Sequence, residues 1–294
     1  MRVPNGYLAA HEGLRLPDAL CKGLRTLNKM TPRIIACLFV IVALAGCSTV
    51  PETGRRQVML VSPSEEAQMG LSAFDQIKKE EKVSQDPAAN AQVQRIGKRI
   101  AQSVGRDIPN ARWEFVVFDS PQVNAFALPG GKVGVYTGLL KLASSDDELA
   151  AVMGHEIAHV SSRHGAERTS QNYLISGGAA LAQIGMEVQN VDPTKRVAIM
   201  SAYGIAANLG ALLPYSRLHE TEADRIGLRF AAGAGYDPRA AVTFWKKMAA
   251  NSRNQGKPPV WMSTHPSDEQ RIRNLEQLAP QYLTIYEQAR QKYQ

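Results

Sequence analysis

The sequence predicts an α+β domain that is mostly helical and carries one small antiparallel sheet. Two observations support this fold class. Short β-rich segments are confined to about residues 113–136, and apolar residues recur at helical spacing on either side of them. The composition fits a folded protein, since 294 residues with 44% hydrophobic and 21% charged side chains exclude a disordered chain and a fibrous repeat.

An apolar segment near the N-terminus is too short to cross a bilayer as a helix. Residues 34–46 are 13 uncharged, mostly apolar residues, whereas a spanning helix needs about 20. Arg33 precedes the segment, and the sequence from Leu44 to Cys47 resembles the lipobox of bacterial lipoproteins. The alternative is a short buried strand or helix. We expect residues 1–46 to be a leader, with 1–29 an upstream extension or a misassigned start.

Cleavage of this leader would determine how the cysteines are used. Cys21 and Cys37 would leave with the leader and Cys47 would carry the lipid, so no disulfide could form. The polar, Pro- and Gly-containing residues 47–64 are then expected to be a lipidated tether. Ser48 stands where an Asp would resemble an inner-membrane retention signal. This favours an outer-membrane anchor facing the periplasm.

The charge balance argues against nucleic acid as a partner. The chain has 34 basic and 27 acidic residues, of which residues 1–47 contain six and two, so the remainder has 28 and 25 and a formal charge of only +3. Neither a basic run nor an aromatic-interleaved basic patch is present.

The elements follow in order along the remaining chain. A first helix is expected from about Glu65 to Lys82, and a second covers Gln92–Val104, where apolar residues are spaced by three and four. Three short strands then follow, with a turn at residues 129–131 between the last two: Trp113–Phe118, Asn124–Leu128 and Lys132–Tyr136.

The C-terminal half is predicted to be helical. Ser145 and Glu148 form a capping box that begins a helix reaching about Arg168. Residues 197–216 contain no charge, but their Ala, Gly and polar content favours a packed core helix over a membrane span. Asp237-Pro238, and Ser267 with Gln270, mark two further helix starts. Residues 65–294 are therefore expected to form one domain.

The helix after Ser145 carries the pattern H-E-x-x-H. His155 and His159 are four residues apart on one helical face, so both imidazoles can bind one metal ion, with Glu156 beside them as a general base. The alternative is a pair of surface histidines. Only five histidines follow the leader, and two of them fall on this capped helix behind the strands, which is the element order of a zincin active site.

A catalytic zinc site needs a third protein ligand. The metzincin pattern would require glycine and histidine three and six residues after His159, where Ser162 and Gly165 stand instead. A carboxylate from a second helix is the alternative. Glu220 can bind the metal, while Asp224, one turn later, can accept a hydrogen bond from a ligand imidazole.

The sequence resembles the gluzincin metalloproteases related to the CAAX prenyl protease and HtpX (HExxH and ExxxD). The resemblance covers about residues 65–280, and the lipobox makes the chain similar to periplasmic lipoprotein members of the family. The multiple membrane spans usual in the family are absent. The matching residues are Asn124–Gly131, Gly154–His159, Ser216-Arg217, Glu220–Asp224 with Gly227, and Thr264-His265-Pro266.

The resemblance implies one zinc ion, a metal-activated water and Glu156 as the proton acceptor. By resemblance and by elimination, His265 or Arg217 is expected to stabilise the oxyanion. His265 has two rival interpretations, an additional ligand in a resting state and a cap before Pro266. His164 and His219 are expected to have surface or structural roles.

A peptide substrate could add as a strand beside the zinc. The residues expected to form this edge are Asn124, Ala125, Phe126 and Leu128. Such binding suits an endopeptidase for unfolded or misassembled envelope proteins, in protein quality control. The alternative is a non-enzymatic periplasmic chaperone or assembly factor that uses the same groove.

Overall fold

The computed structural model describes residues 47–208, 212–255, 261, 262, 265 and 269–293. The predicted leader, residues 1–46, lies outside the described residues. The α+β class is confirmed, and the elements in chain order are β1 (Cys47–Thr49), β2 (Arg56–Val58), α1 (Pro63–Glu80), α2 (Pro87–Val104), β3 (Glu114–Phe118), β4 (Ala125–Leu128), β5 (Lys132–Tyr136), α3 (Thr137–Leu142), α4 (Asp146–Ser161), α5 (His164–Val188), α6 (Pro193–Ala207), α7 (Leu213–Gly233), α8 (Ala240–Gln255), α9 (Glu269–Leu278), a 3-10 turn (Ala279–Tyr282) and α10 (Leu283–Arg290).

Side-chain caps explain where the first helices begin. Ser62 and Glu65 form a capping box at the start of α1, and the Asp86 side chain accepts from two backbone amides at the start of α2. A proline occupies the first helical position in both helices. These helices therefore begin two and five residues earlier than the apolar spacing alone predicted.

The sheet is mixed rather than purely antiparallel. Its strand order is β3-β5-β4, with β4 antiparallel to β5 and β3 parallel to it. The turn at Gly130 and Gly131, both with positive φ, joins β4 and β5 as a hairpin. The chain between β3 and β4 passes the position that β5 then fills, so β4 lies at an edge. The predicted antiparallel pairing is correct for β4–β5 and wrong for β3–β5.

The predicted helix from Ser145 to Arg168 is two helices. Arg163 adopts a left-handed backbone with φ of 56°, which ends the helical path between α4 and α5. Its guanidinium donates to Glu66 and to the Val61 carbonyl oxygen. The break redirects the chain so that His164, the first residue of α5, is buried.

Of the uncharged segment 197–216, residues 209–211 lie outside the described residues, and residues 197–207 form most of α6 after Lys195 and Arg196. Helix α6 does not lie in the core as predicted. None of its residues is buried, and Val197 and Ile205 are 66% and 61% exposed. Instead α6 packs on α5, where the Tyr203 hydroxyl donates to the Ile175 carbonyl oxygen at 2.9 Å. Of the glycines in α5 and α6, only Gly178 lies against the partner helix, where a Cβ would meet the Tyr203 hydroxyl, and apolar side chains such as Leu181 and Val188 remain exposed. Within the described ranges, no helix combines the length and apolar character needed to cross a membrane.

The predicted tether, residues 47–64, is partly folded onto the domain. Val50 is buried in the main hydrophobic core, and Gln57 is buried with its amide donating to the Ser162 carbonyl oxygen. Residues 48–64 therefore belong to the same compact unit as the remaining chain, and the predicted domain boundary at residue 65 comes too late.

Helices α4 and α7 cross closely at two glycines. A Cβ atom on Gly154 would lie 2.8 Å from the Gly227 carbonyl oxygen, and one on Gly227 would lie 2.8 Å from His155 N and Cα. Because backbone atoms cannot move aside easily, only glycine permits this approach. The crossing brings the face of α4 that carries His155 against α7.

We expect Gly227→Ala to lower the free energy of unfolding by about 1–3 kcal/mol, because the new methyl group must push the helices apart. It should also weaken zinc binding by shifting the helix that carries Glu220. Gly177→Ala is the matched control, since a Cβ there has no neighbour within 4 Å. Urea unfolding and zinc titration of both variants test this. Equal stability of the two would contradict the close-crossing argument.

Candidate metal centre

Three predicted ligands converge between α4 and α7. The Nε2 atoms of His155 and His159 are 3.1 Å apart, as expected for residues one helical turn apart. The two Glu220 carboxylate oxygens each lie 3.4 Å from one of these nitrogens. The structure thus places the predicted histidines and the predicted carboxylate around one point.

His265 occupies the fourth corner of this cluster. Its Nδ1 atom lies 3.2 Å from His155 Nε2 and 3.1 Å from both Glu220 carboxylate oxygens. The ligand atoms of all four residues lie within 4.8 Å of one another. This is the position that a resting-state ligand would occupy, and the neighbouring residues that bear on the predicted cap, 266–268, lie outside the described residues.

The donor set fits zinc. Three imidazole nitrogens and one carboxylate oxygen are ligands that zinc accepts in tetrahedral sites. His155 and Glu220 are buried, and His159 and His265 are only partly exposed. The centre therefore suits one Zn²⁺ ion, which is the cofactor that the sequence predicted.

Asp224 and Arg271 support the His155 side of the centre. Asp224 Oδ1 lies 3.0 Å from His155 Nδ1, the contact predicted from spacing. The Arg271 guanidinium donates to both Asp224 oxygens and to Glu220 Oε2, each at 2.7 Å, and lies 3.6 Å above the Trp245 ring. Both carboxylates are thereby fixed in place by one buried cation.

Burial and these contacts have opposing effects on the pKa values of this group. Burial would raise the pKa of Asp224, but the Arg271 charge and the hydrogen bond to His155 outweigh it and lower that pKa. Burial would likewise lower the pKa of His155, but hydrogen bonds to Asp224 and Glu220 raise it to about 9. The hydrogen bonds to Asp224 and Glu220 therefore favour the protonated form of His155 in the metal-free centre.

Glu156 lies on α4 between the two ligand histidines. Its Oε1 atom accepts a hydrogen bond from the Trp261 indole at 2.6 Å and lies 3.6 Å from His265 Nε2. Trp261 is buried, so it fixes the carboxylate beside the cluster. The predicted general base is thus held next to the metal position.

The predicted substrate strand lies at the sheet edge and packs against α4. The Phe126 ring packs in an aromatic cluster with Phe74, Phe118 and Tyr136, and Ala125 is buried. Asn124 accepts the Tyr136 amide through its carbonyl oxygen. The partly buried Phe126 side chain thus packs on the aromatic cluster, which leaves the main chain of this strand as the part that would contact a substrate. Leu128, at the strand end, is half-buried beside the same aromatic cluster.

Arg217, the other predicted oxyanion donor, is exposed near the start of α7. Its carbonyl oxygen accepts a hydrogen bond from Thr221. It precedes Glu220 by three residues, so it belongs to the helical turn that leads into the ligand.

Sequence reasoning missed Arg271 and Trp261. Arg271 and Leu275 are the buried residues of α9 and are one turn apart. The helical spacing in the sequence could therefore have indicated that Arg271 lies on the buried face of this helix. Trp261 had no such signal, because its role depends on a contact with Glu156 across 105 residues.

A second buried charge cluster lies beside the centre. The Arg55 guanidinium forms two 2.8 Å hydrogen bonds to the Glu167 carboxylate and donates to Glu222 Oε2 at 2.9 and 3.0 Å. Burial would raise the pKa of both carboxyls. Hydrogen bonds from Arg55, His164 and His219 outweigh burial and lower both pKa values to about 2.

This cluster predicts acid sensitivity. Because folding lowers both carboxyl pKa values from 4.5 to about 2, the two carboxylates add to the free energy of unfolding in full above pH 4.5. This contribution is lost as the pH falls from 4.5 to 2. Each carboxylate contributes up to about 3 kcal/mol. Urea unfolding of metal-free protein from pH 7 to pH 3 tests this. Arg55→Met should lose much of the pH dependence in that range, and an unchanged dependence would contradict the assignment.

Comparison with known proteins identifies the family. Residues 87–279 match the family described as peptidase family M48. The mitochondrial metalloendopeptidase OMA1 of Schizosaccharomyces pombe is 36% identical over 235 residues, which are 79% of this chain and 66% of that protein. Human metalloendopeptidase OMA1 is 32% identical over 263 residues, 85% of this chain and 49% of that protein.

The chain is also similar to a bacterial protease. The beta-barrel assembly-enhancing protease of Escherichia coli O157:H7 is 28% identical over 239 residues, 80% of this chain and 48% of that protein. The chain thus spans about half to two thirds of the length of these curated relatives. The family match covers more than half of the chain and includes His155, His159, Glu220 and His265. The chain belongs to peptidase family M48.

Proposed function

We propose that the protein is a zinc-dependent endopeptidase. The convergence of His155, His159 and Glu220 with Glu156 at their side carries this proposal. Bound zinc would polarise the scissile carbonyl and acidify a water molecule. Glu156 would accept the proton and return it to the leaving amine, while Trp261 keeps its carboxylate in position.

His265 is proposed to be the ligand of a resting state rather than the oxyanion donor. Catalytic zinc sites keep one position open, whereas His265 completes a set of four protein ligands here. A substrate carbonyl would therefore need His265 to leave its position. Arg217, exposed on the turn before Glu220, is the remaining predicted donor for the oxyanion.

The proposed substrates are unfolded or misassembled cell-envelope proteins. An extended peptide would add along β4, the sheet edge that packs against the active-site helix, by main-chain hydrogen bonds. Main-chain pairing of this kind depends on the extended conformation of the peptide more than on its sequence. The name of the bacterial relative, which refers to beta-barrel assembly, supports an envelope substrate.

We also propose that Cys47 carries a lipid, so that the protein is anchored in the bacterial cell envelope, facing the periplasm and at the outer membrane. The lipobox from Leu44 to Cys47 and the following Ser48 support this. Mass spectrometry of the N-terminal peptide tests it. An unmodified Cys47, or an intact residue 46–47 bond, would contradict it.

Incubation of the zinc-loaded protein with an unfolded protein such as casein tests the proposed activity. We expect internal cleavage that a chelator stops and added zinc restores. Binding of casein without cleavage, in wild type and His265→Ala alike, would instead support the assembly-factor alternative. Cleavage only after His265→Ala would support the resting-state role of His265.

A further inference from the structure

We propose that His164 is a positioning residue for the zinc ligand His159, and that residues 53–57, which precede α1, fix His164 in place through Arg55 and Glu222. This inference rests on the proposed zinc centre and concerns its second ligand. It goes beyond the sequence-based expectation of a surface or structural role for His164. The residues that carry it form one chain of short contacts behind the metal position.

The contacts run from the ligand outward. His159 Nδ1 lies 2.8 Å from His164 Nδ1, and His164 Nε2 lies 2.9 Å from Glu222 Oε2. Glu222 in turn accepts from the Arg55 guanidinium and from the Thr53 hydroxyl. The imidazole of His159 is thus held at the nitrogen that does not face the metal.

The order of donors and acceptors in this chain assigns the protons. The Glu222 carboxylate only accepts, so His164 Nε2 carries a hydrogen and donates it. His164 Nδ1 then accepts, and His159 Nδ1 must carry the hydrogen between the two rings. That tautomer leaves the lone pair of His159 Nε2 directed at the cluster, as metal binding requires.

The two ligand histidines are therefore supported by parallel arrangements. His155 is held at Nδ1 by Asp224, which Arg271 fixes. His159 is held at Nδ1 by His164, whose partner Glu222 is fixed by Arg55. Each ligand orientation thus depends on one buried or mostly buried arginine from outside the two ligand helices.

Local packing prevents His164 from rotating away. The side chain is 2% exposed, and its ring stacks on His219 with centroids 4.1 Å apart and planes 10° apart. On a continuous helix, a residue five positions after His159 would point to another face. The left-handed turn at Arg163 returns His164 to the metal side.

Residues 53–57, which precede α1, also help to keep His164 in its orientation. Thr53 and Arg55 precede α1 and are 169 and 167 residues from Glu222 in sequence. Gln57 adds a hydrogen bond to the Ser162 carbonyl oxygen, next to the turn that directs His164. Residues 53–57 therefore form hydrogen bonds with the residues that support His159 on the side away from the metal position.

Zinc affinity of the full chain, measured by competition with a fluorescent chelator, tests the proposal independently of cleavage. We expect His164→Leu to weaken zinc binding about 10- to 100-fold and to alter the visible spectrum of the cobalt-loaded protein. His164→Asn should recover part of the affinity, because its amide oxygen can accept from His159 Nδ1. Unchanged affinity and spectrum in folded His164→Leu would overturn the proposal.

A matched pair of carboxylate variants separates positioning from general stability. Glu222→Gln removes a charge from the series of contacts behind His159, whereas Glu148→Gln removes one from a buried carboxylate that pairs with Lys247, away from His159 and His164. We expect only Glu222→Gln to weaken zinc binding, even where both lower the melting temperature of metal-free protein. Equal zinc affinities in the two variants would show that the network is only structural. A wild type that binds zinc but cleaves nothing would contradict the proposed function and leave this test intact.

Discussion

Glu156→Gln is expected to abolish peptide cleavage while the protein still binds zinc. Glu156 is not one of the four converging ligands, so its loss leaves the metal site complete. The amide cannot accept a proton from water, and loss of a positioned general base costs about 10²- to 10⁴-fold in rate. The amide oxygen can still accept from the Trp261 indole, so the local structure should persist.

Cleavage of casein and zinc content, measured on the same preparations, test this expectation. Glu148→Gln is the control, because Glu148 lies on the same helix and pairs with Lys247 away from the cluster. It should cleave at the wild-type rate. Retained cleavage in Glu156→Gln would exclude Glu156 as the base, and lost zinc would assign it a structural role.

The metal ligands were predictable because helical periodicity determines their geometry. Four-residue spacing places His155 beside His159, and the same spacing relates Glu220 to Asp224. The pattern could not show that His265 reaches the cluster. It lies 110 residues from His155, and its position depends on the packing of a distant segment.

The residues whose roles the sequence does not reveal depend on long-range contacts. Arg55 meets Glu167 across 112 residues, and no local pattern distinguishes Arg55, whose side chain is 14% exposed, from its exposed neighbour Arg56. The position of His164 is hidden because the sequence indicates a continuous helix through Arg163, where the backbone turns instead. The same limitation applies to residues 197–207 of α6, since lack of charge does not distinguish a helical segment in the core from one that packs on a single neighbour.

The order of strands was equally hidden. The hairpin β4–β5 follows from its short glycine turn, which is a local signal. The parallel pairing of β3 with β5 arises from the path of the chain between β3 and β4. This crossover leaves β4 rather than β5 at the edge beside α4, so the proposed peptide site on β4 depends on a pairing that the sequence does not reveal.

Arg271→Met is expected to destabilise the metal-free protein more than Gly227→Ala does. Arg271 is buried and is the cation shared by Glu220 and Asp224, so its removal leaves these two buried carboxylates with their histidine partners but without the guanidinium that both contact. Breaking a buried ion pair costs about 3–5 kcal/mol. The loss should be smaller with zinc bound, because the metal also balances the charge of Glu220.

Urea unfolding with and without zinc measures both values, and Arg273→Met provides the control. Arg273 lies on the same helix but pairs at the surface with Glu269, whose side chain is 91% exposed. Such a pair contributes at most about 0.5 kcal/mol. If Arg271→Met cost no more than Arg273→Met, the buried cation would not stabilise the carboxylates. If zinc reduces the loss of unfolding free energy caused by Arg271→Met, then Arg271 and the metal both neutralise the charge of Glu220.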